Sequence, residues 1–133
     1  MVKNSHDNFY YSVGGRIKFG ETAEKAIERE VKEELGFEMA IERLGFICEN
    51  YFYGTIGDKQ VRLIYEPSFY FYMKVPDDFS LQEDSFLDDG TKEYLKWVSL
   101  DTNELIYPNF FKTELKNPVS EIKHIITDGR KIL

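Results

Sequence analysis

Residues 14–37, GGRIKFGETAEKAIEREVKEELGF, constrain the fold more than any other segment because they encode one amphipathic helix bounded by glycines. Thr22 is suited to cap the start of this helix, and Gly36 is suited to end it. With about 100° between successive residues, the pattern predicts a helix from Thr22 to Leu35 that has a broad apolar side. That side contains Ala23, Ala26, Ile27, Val31 and Leu35. We expect it to face the core.

Three glutamates lie on or beside the apolar side of this helix. Glu30 and Glu34 fall within that side, and Glu33 lies at its margin. The charged residues of the opposite side are Glu24, Lys25, Glu28 and Lys32. Carboxylates that converge near a core repel one another and are costly to remove from water. A divalent cation offsets that cost, and Mg²⁺ prefers hard oxygen ligands. The pattern therefore predicts a magnesium site, with Mn²⁺ as an alternative ion.

Residues around the three glutamates suit the same site. Arg29 precedes Glu33 by one helical turn and can pair with it or with Glu21. Gly14 and Gly15 permit backbone conformations that few other residues accept, and they let a main-chain carbonyl approach an ion. A solvated surface helix would explain any single glutamate, but it does not explain a group of glutamates on the apolar side.

The same segment resembles the Nudix box. That motif consists of a glycine, five residues, a glutamate, seven residues, Arg-Glu, an aliphatic residue, any residue, Glu-Glu, any residue, glycine and a hydrophobic residue. The matching residues are Gly15, Glu21, Arg29, Glu30, Val31, Glu33, Glu34, Gly36 and Phe37. The resemblance implies a Nudix fold, which is an α/β/α sandwich around a mixed β-sheet. It also implies hydrolysis of a nucleoside diphosphate linked to another moiety X.

The resemblance further implies a role for each polar residue of the box. Glu30 and Glu34 would be the main metal ligands, Glu33 a further ligand or the base that activates water, and Gly15 a ligand through its carbonyl. The residues that orient these ligands would be Arg29 and Glu21. Such roles suit phosphoryl transfer, which needs charge neutralisation and in-line positioning more than covalent chemistry.

Nudix proteins often add an acid from a later loop as a metal ligand or base. The candidates here are Glu83, Asp84, Asp89 and Glu93. We select Glu93 because it directly precedes a predicted strand that contains Trp97. Trp97 itself is expected to be a core residue rather than a ligand contact.

Aromatic residues beyond the box are candidates for binding the substrate. Tyr51 and Tyr53 can stack on a nucleobase, because stacking tolerates any base, although core packing is the alternative role. Tyr53 stands where dinucleoside-polyphosphate hydrolases carry a tyrosine, and Phe52 stands where many ADP-ribose hydrolases carry a proline. The identity of X remains open.

The remainder of the chain predicts an α+β fold, because strands alternate with a few helices without a regular βαβ rhythm. The predicted elements are a strand at Phe9–Val13, a hairpin of Ala40–Tyr53 and Val61–Val75 that is interrupted near Pro67, a loop at Pro76–Gly90, a strand at Tyr94–Val98, helices at Asp101–Ile106 and Asn109–Leu115, and a tail after residue 120 that suits an edge strand or a helix end.

Length and charge restrict the kinds of partner. A chain of 133 residues suits one domain over 1–133, and a net charge of −7 argues against binding duplex nucleic acid or anionic membrane by charge alone. No stretch approaches the roughly 18 apolar residues of a membrane span. Cys48 is the only cysteine, which suits a reducing cytoplasm. The expected partner is a small nucleotide-type substrate.

Two departures from the Nudix pattern stand near the N-terminus. Val13 replaces the proline that commonly precedes the paired glycines. Nudix proteins also usually have a strand and a turn before this point, whereas here Met1 to Lys3 resembles only the end of that strand. A shortened first strand would leave a sheet edge exposed, so a homodimer is left open.

A catalytically inactive module that senses nucleotides is the competing functional hypothesis. Such a module would be expected to lose acids of the box, whereas Glu30, Glu33 and Glu34 are all present. That retention favours an enzyme. A purely structural acidic domain offers no reason for glutamates on the apolar side.

Overall fold

The structure, a computed structural model, describes residues 1–81, 84–86 and 92–132. In chain order its elements are β1 (Val2–Asn4), β2 (Phe9–Tyr11), α1 (Ala23–Leu35), β3 (Ala40–Thr55), β4 (Val61–Lys74), β5 (Asp84–Phe86), β6 (Lys92–Leu95), β7 (Leu105–Tyr107), α2 (Phe111–Glu114), β8 (Lys123–Asp128) and a 3₁₀ turn (Gly129–Ile132). They group into two compact units, of which the first is Met1–Ala40 with Lys74–Pro118 and the second Ile41–Met73 with Val119–Leu133. The expectation of a single domain stays a prediction.

The first unit contains a mixed five-stranded sheet in the order β5-β6-β1-β2-β7. β1 pairs with β2 and β6 in the antiparallel direction, and β2 pairs with β7 in the parallel direction. Val2, at the centre, lies opposite Tyr11 on one side and Leu95 on the other, and its side chain is fully buried. Residues that face each other across neighbouring strands point to the same side of a sheet. Tyr11, Val2 and Leu95 therefore share one face.

Helix α1 belongs to the same unit and forms as predicted. The Thr22 hydroxyl accepts a hydrogen bond from the Lys25 backbone N–H at 3.2 Å, which caps the first turn. Gly36, at φ 71°, ends the helix in the left-handed conformation that glycine adopts without strain. Ala26 and Val31 are buried, which confirms the predicted apolar side.

The second unit contains a three-stranded sheet in the order β4-β3-β8. β3 and β4 form the predicted hairpin, and β4 continues through Pro67 without the predicted interruption. The tail is a strand, β8, which pairs in parallel with β3 from Phe46 to Tyr51. Phe46 and Cys48 are buried, and they form part of the core at this sheet.

Besides the interruption predicted at Pro67 and the loop predicted at Pro76–Gly90, which contains strand β5, three predictions of local structure are wrong. Asp101–Ile106 is not a helix, because Leu105–Tyr107 forms strand β7. The strand predicted at Tyr94–Val98 lies at Lys92–Leu95, so Trp97 follows the strand and is 67% exposed rather than part of the core. The second helix is shorter than predicted and spans Phe111–Glu114. None of the helices in the described ranges is long and apolar enough to cross a membrane.

Candidate metal centre

Arg29 of α1 donates hydrogen bonds to several acids and connects them in one network. Its Nε and Nη2 donate to the two carboxylate oxygens of Glu21 at 2.6 and 3.0 Å. Its Nη1 donates to Glu30 at 2.6 Å and to Glu33 at 3.3 Å, and Nη2 also reaches the Arg16 carbonyl at 3.2 Å. One guanidinium, whose donors form a fixed fork, thus supplies positive charge to three carboxylates.

Glu21 ties this network to the loop before the helix. Its Oε2 accepts a hydrogen bond from the Lys18 backbone N–H at 2.8 Å. Hydrogen bonds from Arg29, and then from Lys18, lower the pKa of Glu21 to about 2. The bonds to Glu21 and Glu30 in turn raise the pKa of Arg29. Glu21 is therefore stable in its ionised form without a metal.

Glu34 is in the opposite situation. Its Oε2 is buried and has no hydrogen-bond partner within the part of the chain that the structure describes. Burial raises the pKa of Glu34 to about 8, and the negative charges of Glu93, Glu30 and Glu33 act in the same direction. The Gly14 backbone N–H donates to this carboxylate and opposes the rise only in part. The Met1 ammonium acts on Glu34 electrostatically, but it does not hydrogen-bond to the buried Oε2.

Glu93 lies beside Glu34, although it does not come from a loop as we expected. It is in strand β6, opposite Asn4 of β1, and it is only 7% exposed. The Tyr11 hydroxyl donates a hydrogen bond to Glu93 Oε1 at 3.3 Å. Among the other candidates, Glu83 and Asp89 lie outside the described residues, as does the side chain of Asp84.

Gly15 is required by the position of Glu30. A Cβ atom at residue 15 would lie well inside van der Waals contact with the Glu30 carboxylate, which Arg29 holds in place. The backbone at residue 15 therefore lies so close to the Glu30 carboxylate that a side chain there would displace it. The predicted use of the Gly15 carbonyl as a ligand stays a prediction.

The acids near Glu34 suit a divalent cation, although they do not form a complete coordination site. No group of three His, Cys, Asp or Glu side chains among residues 1–81, 84–86 and 92–132 is arranged to hold a metal ion. One reason is that Arg29 engages Glu30 and Glu33, and Glu33 keeps 55% of its side chain exposed. Nevertheless, the donors are hard oxygens, one Glu34 oxygen is buried without a partner, and the local charge is strongly negative.

The two tyrosines proposed for substrate binding belong to the second unit. The Tyr51 ring lies 4.9 Å from the Tyr65 ring, and the Arg130 guanidinium lies 4.2 Å from its centroid. Tyr53 is 41% exposed and therefore presents more free aromatic surface. Their role in binding a base stays a prediction.

Sequence reasoning missed Tyr11. Strand periodicity alone places Phe9 and Tyr11 on one face of β2 and Tyr10 on the other. This alternation could have placed Tyr11 on the same face as Phe9. It could not have predicted the hydrogen bond to Glu93, which lies 82 residues further along the chain. Only the pairing of β1 with both β2 and β6 brings the two together.

The chain matches a known domain family over most of its length. The family model of the NUDIX domain matches residues 1–116 of the 133, a range that includes the whole box and Glu93. A search of the curated proteins found no match to the chain.

Proposed function

The chain belongs to the Nudix family, and from that premise we propose that it is a Mg²⁺-dependent hydrolase of the diphosphate linkage in a nucleoside diphosphate joined to another moiety X. The observation that carries the proposal is Glu34, a partly buried carboxylate whose Oε2 has no hydrogen-bond partner among the described residues and on which the charges of Glu93 and Glu30 act. A buried charge persists in a fold when a bound partner offsets its cost. Mg²⁺, or Mn²⁺ in its place, is a partner of that kind.

The residues that would hold the cation are Glu34, Glu30 and Glu93, with the Gly15 carbonyl as a further ligand. A bound cation would neutralise phosphate oxygens and lower the barrier to attack by water. Arg29 and Glu21 take no part in the chemistry directly. They hold Glu30 and Glu33 in position through the hydrogen bonds of 2.6 to 3.3 Å described above.

Glu33 is the residue we assign to take up the proton. Its half-exposed side chain lies at the margin of α1, where water reaches it. In the proposed reaction a water oxygen bonds to phosphorus as the bond from phosphorus to the bridging oxygen breaks. One proton of that water passes to Glu33, and the bridging oxygen leaves with the departing phosphate.

We place the substrate among small nucleotide derivatives, with Tyr53 and Tyr51 as candidates to stack on the base. Stacking is worth about 1–3 kcal/mol per base and does not depend on base identity, so these residues do not define X. Cys48 is a buried free thiol, which suits a reducing cytoplasm. Both a monomer and a homodimer are compatible with this proposal.

The experiment is a panel of nucleotide derivatives incubated with Mg²⁺, with release of phosphate or nucleoside monophosphate as the readout. Glu34→Gln should reduce turnover by orders of magnitude, because it removes the ligand charge at nearly constant volume. Glu28→Gln is the matched control: it is on the same helix, its side chain is 47% exposed, and it should stay close to wild type.

Two outcomes would overturn parts of this proposal. Turnover by Glu34→Gln at the wild-type rate would contradict the metal assignment. Tight binding of a nucleotide by the wild-type chain with no release of product from any compound would favour the catalytically inactive sensing module.

A further inference from the structure

We propose that Tyr11 is a positioning residue of the metal centre, whose hydroxyl holds the Glu93 carboxylate beside Glu34. This inference rests on the proposed function, because it assumes that Glu93 helps to hold the cation. It adds a residue outside the box and on a different element from the acids it serves.

The backbone places Tyr11 and Glu93 on the same face of the sheet. Val2 of β1 lies opposite Tyr11 and opposite Leu95, while Asn4 lies opposite Glu93. Because side chains alternate along a strand, Glu93 and Leu95 point the same way, and so does Tyr11. One short strand therefore lies between the phenol and the carboxylate, and the two side chains reach across it.

Burial makes a hydrogen-bond donor necessary at Glu93. A carboxylate that is only 7% exposed has little contact with water, so its charge must be met by donors or cations. Tyr11 supplies one donor, to Oε1 at 3.3 Å. A phenol, whose ordinary pKa is about 10, keeps its proton at neutral pH, so Tyr11 acts as a donor.

Packing restricts the Tyr11 ring. Its strand is paired on both sides, with β1 and β7. On the same face, the Phe9 ring centroid lies 6.5 Å from that of Tyr11, and Phe9 in turn contacts Tyr107 edge to face at 5.1 Å. A hydroxyl on a ring held in this way has a defined direction, which is the property a supporting residue of a metal site needs.

The position of Glu93 matters because Glu93 is the acid with the largest electrostatic effect on Glu34. If the Tyr11 hydroxyl is removed, the Glu93 carboxylate loses one of its donors, and we expect its orientation towards Glu34 to be less well defined. Loss of such a supporting hydrogen bond typically weakens metal binding by about 10–100-fold. We expect about a tenfold loss here, because the bond is long.

The experiment measures the affinity for Mn²⁺ alone, by electron paramagnetic resonance of the free ion, on the full chain. Tyr11→Phe should raise the Kd for Mn²⁺ about tenfold. The matched control is Tyr10→Phe, which removes a hydroxyl from the neighbouring buried residue on the opposite face of β2. Its Kd should equal that of wild type, and thermal unfolding should show that both variants fold.

A double-mutant cycle with Glu93→Gln distinguishes positioning from a general effect on the fold. We expect Glu93→Gln to weaken Mn²⁺ binding, and we expect Tyr11→Phe to add nothing in that background. The inference is overturned if Tyr11→Phe leaves the Kd unchanged, if Tyr10→Phe changes it equally, or if the two effects add. Failure of the wild-type chain to bind Mn²⁺, or an unchanged Kd in Glu93→Gln, would instead overturn the assignment of the metal ligands and this inference with it.

Discussion

The acids around helix α1 fall into two regions that treat negative charge in opposite ways. On the Arg29 side, Glu21 forms a two-pronged ion pair and its pKa falls to about 2. On the sheet side, Glu34 is partly buried, and burial together with the charge of Glu93 raises its pKa to about 8. Both residues are glutamates, so residue type does not explain the difference. A carboxylate that pairs with the Arg29 guanidinium stabilises the metal-free fold, whereas one that does not pair with it destabilises the fold.

Glu30 links the two regions. It accepts a hydrogen bond from Arg29 at 2.6 Å, and its charge also contributes to the raised pKa of Glu34. The Arg29 side thus holds the acids in place. The sheet side keeps negative charge that a bound cation would neutralise. Functional sites often contain such unfavourable charge, which the rest of the fold tolerates.

Of the substitutions considered, removal of Arg29 should have the largest effect on the difference between the two regions. Arg29→Met leaves Glu21, Glu30 and Glu33 without their cation while keeping an unbranched side chain. We expect a clear fall in the free energy of unfolding, as measured by urea denaturation, because Glu21 and Glu30 lose their charged hydrogen-bond donor.

A control for the loss of charge is Lys32→Met on the same helix. Lys32 and its partner Glu38 are largely exposed, at 63% and 79%, so this change should have an effect within about 0.5 kcal/mol. An equal loss in the free energy of unfolding from the two substitutions would contradict the claim that Arg29 stabilises the network of acids.

The pH dependence of stability should separate the two regions. Glu34 keeps its proton in the folded state up to a pH of about 8, whereas an unfolded glutamate releases it near 4.5. The folded state therefore binds more protons between these values, and Glu34 destabilises the metal-free fold as the pH rises through them. Glu21 behaves oppositely: its contribution is present above about 4.5 and is lost as the pH falls towards about 2.

Denaturation curves over this pH range test that difference. Glu34→Gln should remove the loss of stability between pH values of about 4.5 and 8, and Glu21→Gln should remove the loss below about 4.5. A Glu34→Gln curve parallel to that of wild type would show that Glu34 is not the acid whose pKa is raised.

Gly15→Ala should displace Glu30, the residue that interacts with both regions. The added methyl group displaces the Glu30 carboxylate from its place against the backbone. We expect about a tenfold weaker affinity for Mn²⁺, by the same resonance measurement, with a smaller change in stability. An unchanged affinity would mean that Glu30 does not need this place to bind the ion.

Thr22→Ala should have the smallest effect and should leave the site intact. It removes the cap at the start of α1, which typically costs about 1 kcal/mol of stability. Because the Thr22 hydroxyl bonds to the Lys25 backbone rather than to an acid of the network, Mn²⁺ affinity should not change. A weaker affinity would show that the metal site depends on the stability of the whole helix rather than on its side chains.

Local signals were sufficient to predict α1 and its acids. The cap at Thr22, the stop at Gly36 and the spacing of the apolar residues all lie within the segment, so no distant contact was needed. The hairpin of β3 and β4 was predictable for the same reason. The side of the helix on which Glu34 lies also follows from spacing alone.

The errors lie where distant pairing decides the structure. Around Ser99, the hydroxyl and carbonyl accept hydrogen bonds from the backbone N–H groups of Asp101 and Thr102, which forms a turn in place of the predicted helix. Leu105–Tyr107 then pairs with β2, nearly a hundred residues earlier in the chain. Glu93 could be chosen from the sequence, but its burial in a strand and its contact with Tyr11 could not.

The most direct test of the account is the effect of Mg²⁺ on the stability of wild type and Glu34→Gln, by urea denaturation at a pH of about 8. Without metal, Glu34→Gln should be more stable than wild type, because it removes a partly buried carboxylate that Glu93 and Glu30 repel. Saturating Mg²⁺ should stabilise wild type through binding to the folded state and should have little effect on Glu34→Gln. Equal stabilisation of both proteins by Mg²⁺, or a less stable metal-free Glu34→Gln, would contradict the claim that Glu34 is the centre of a cation site.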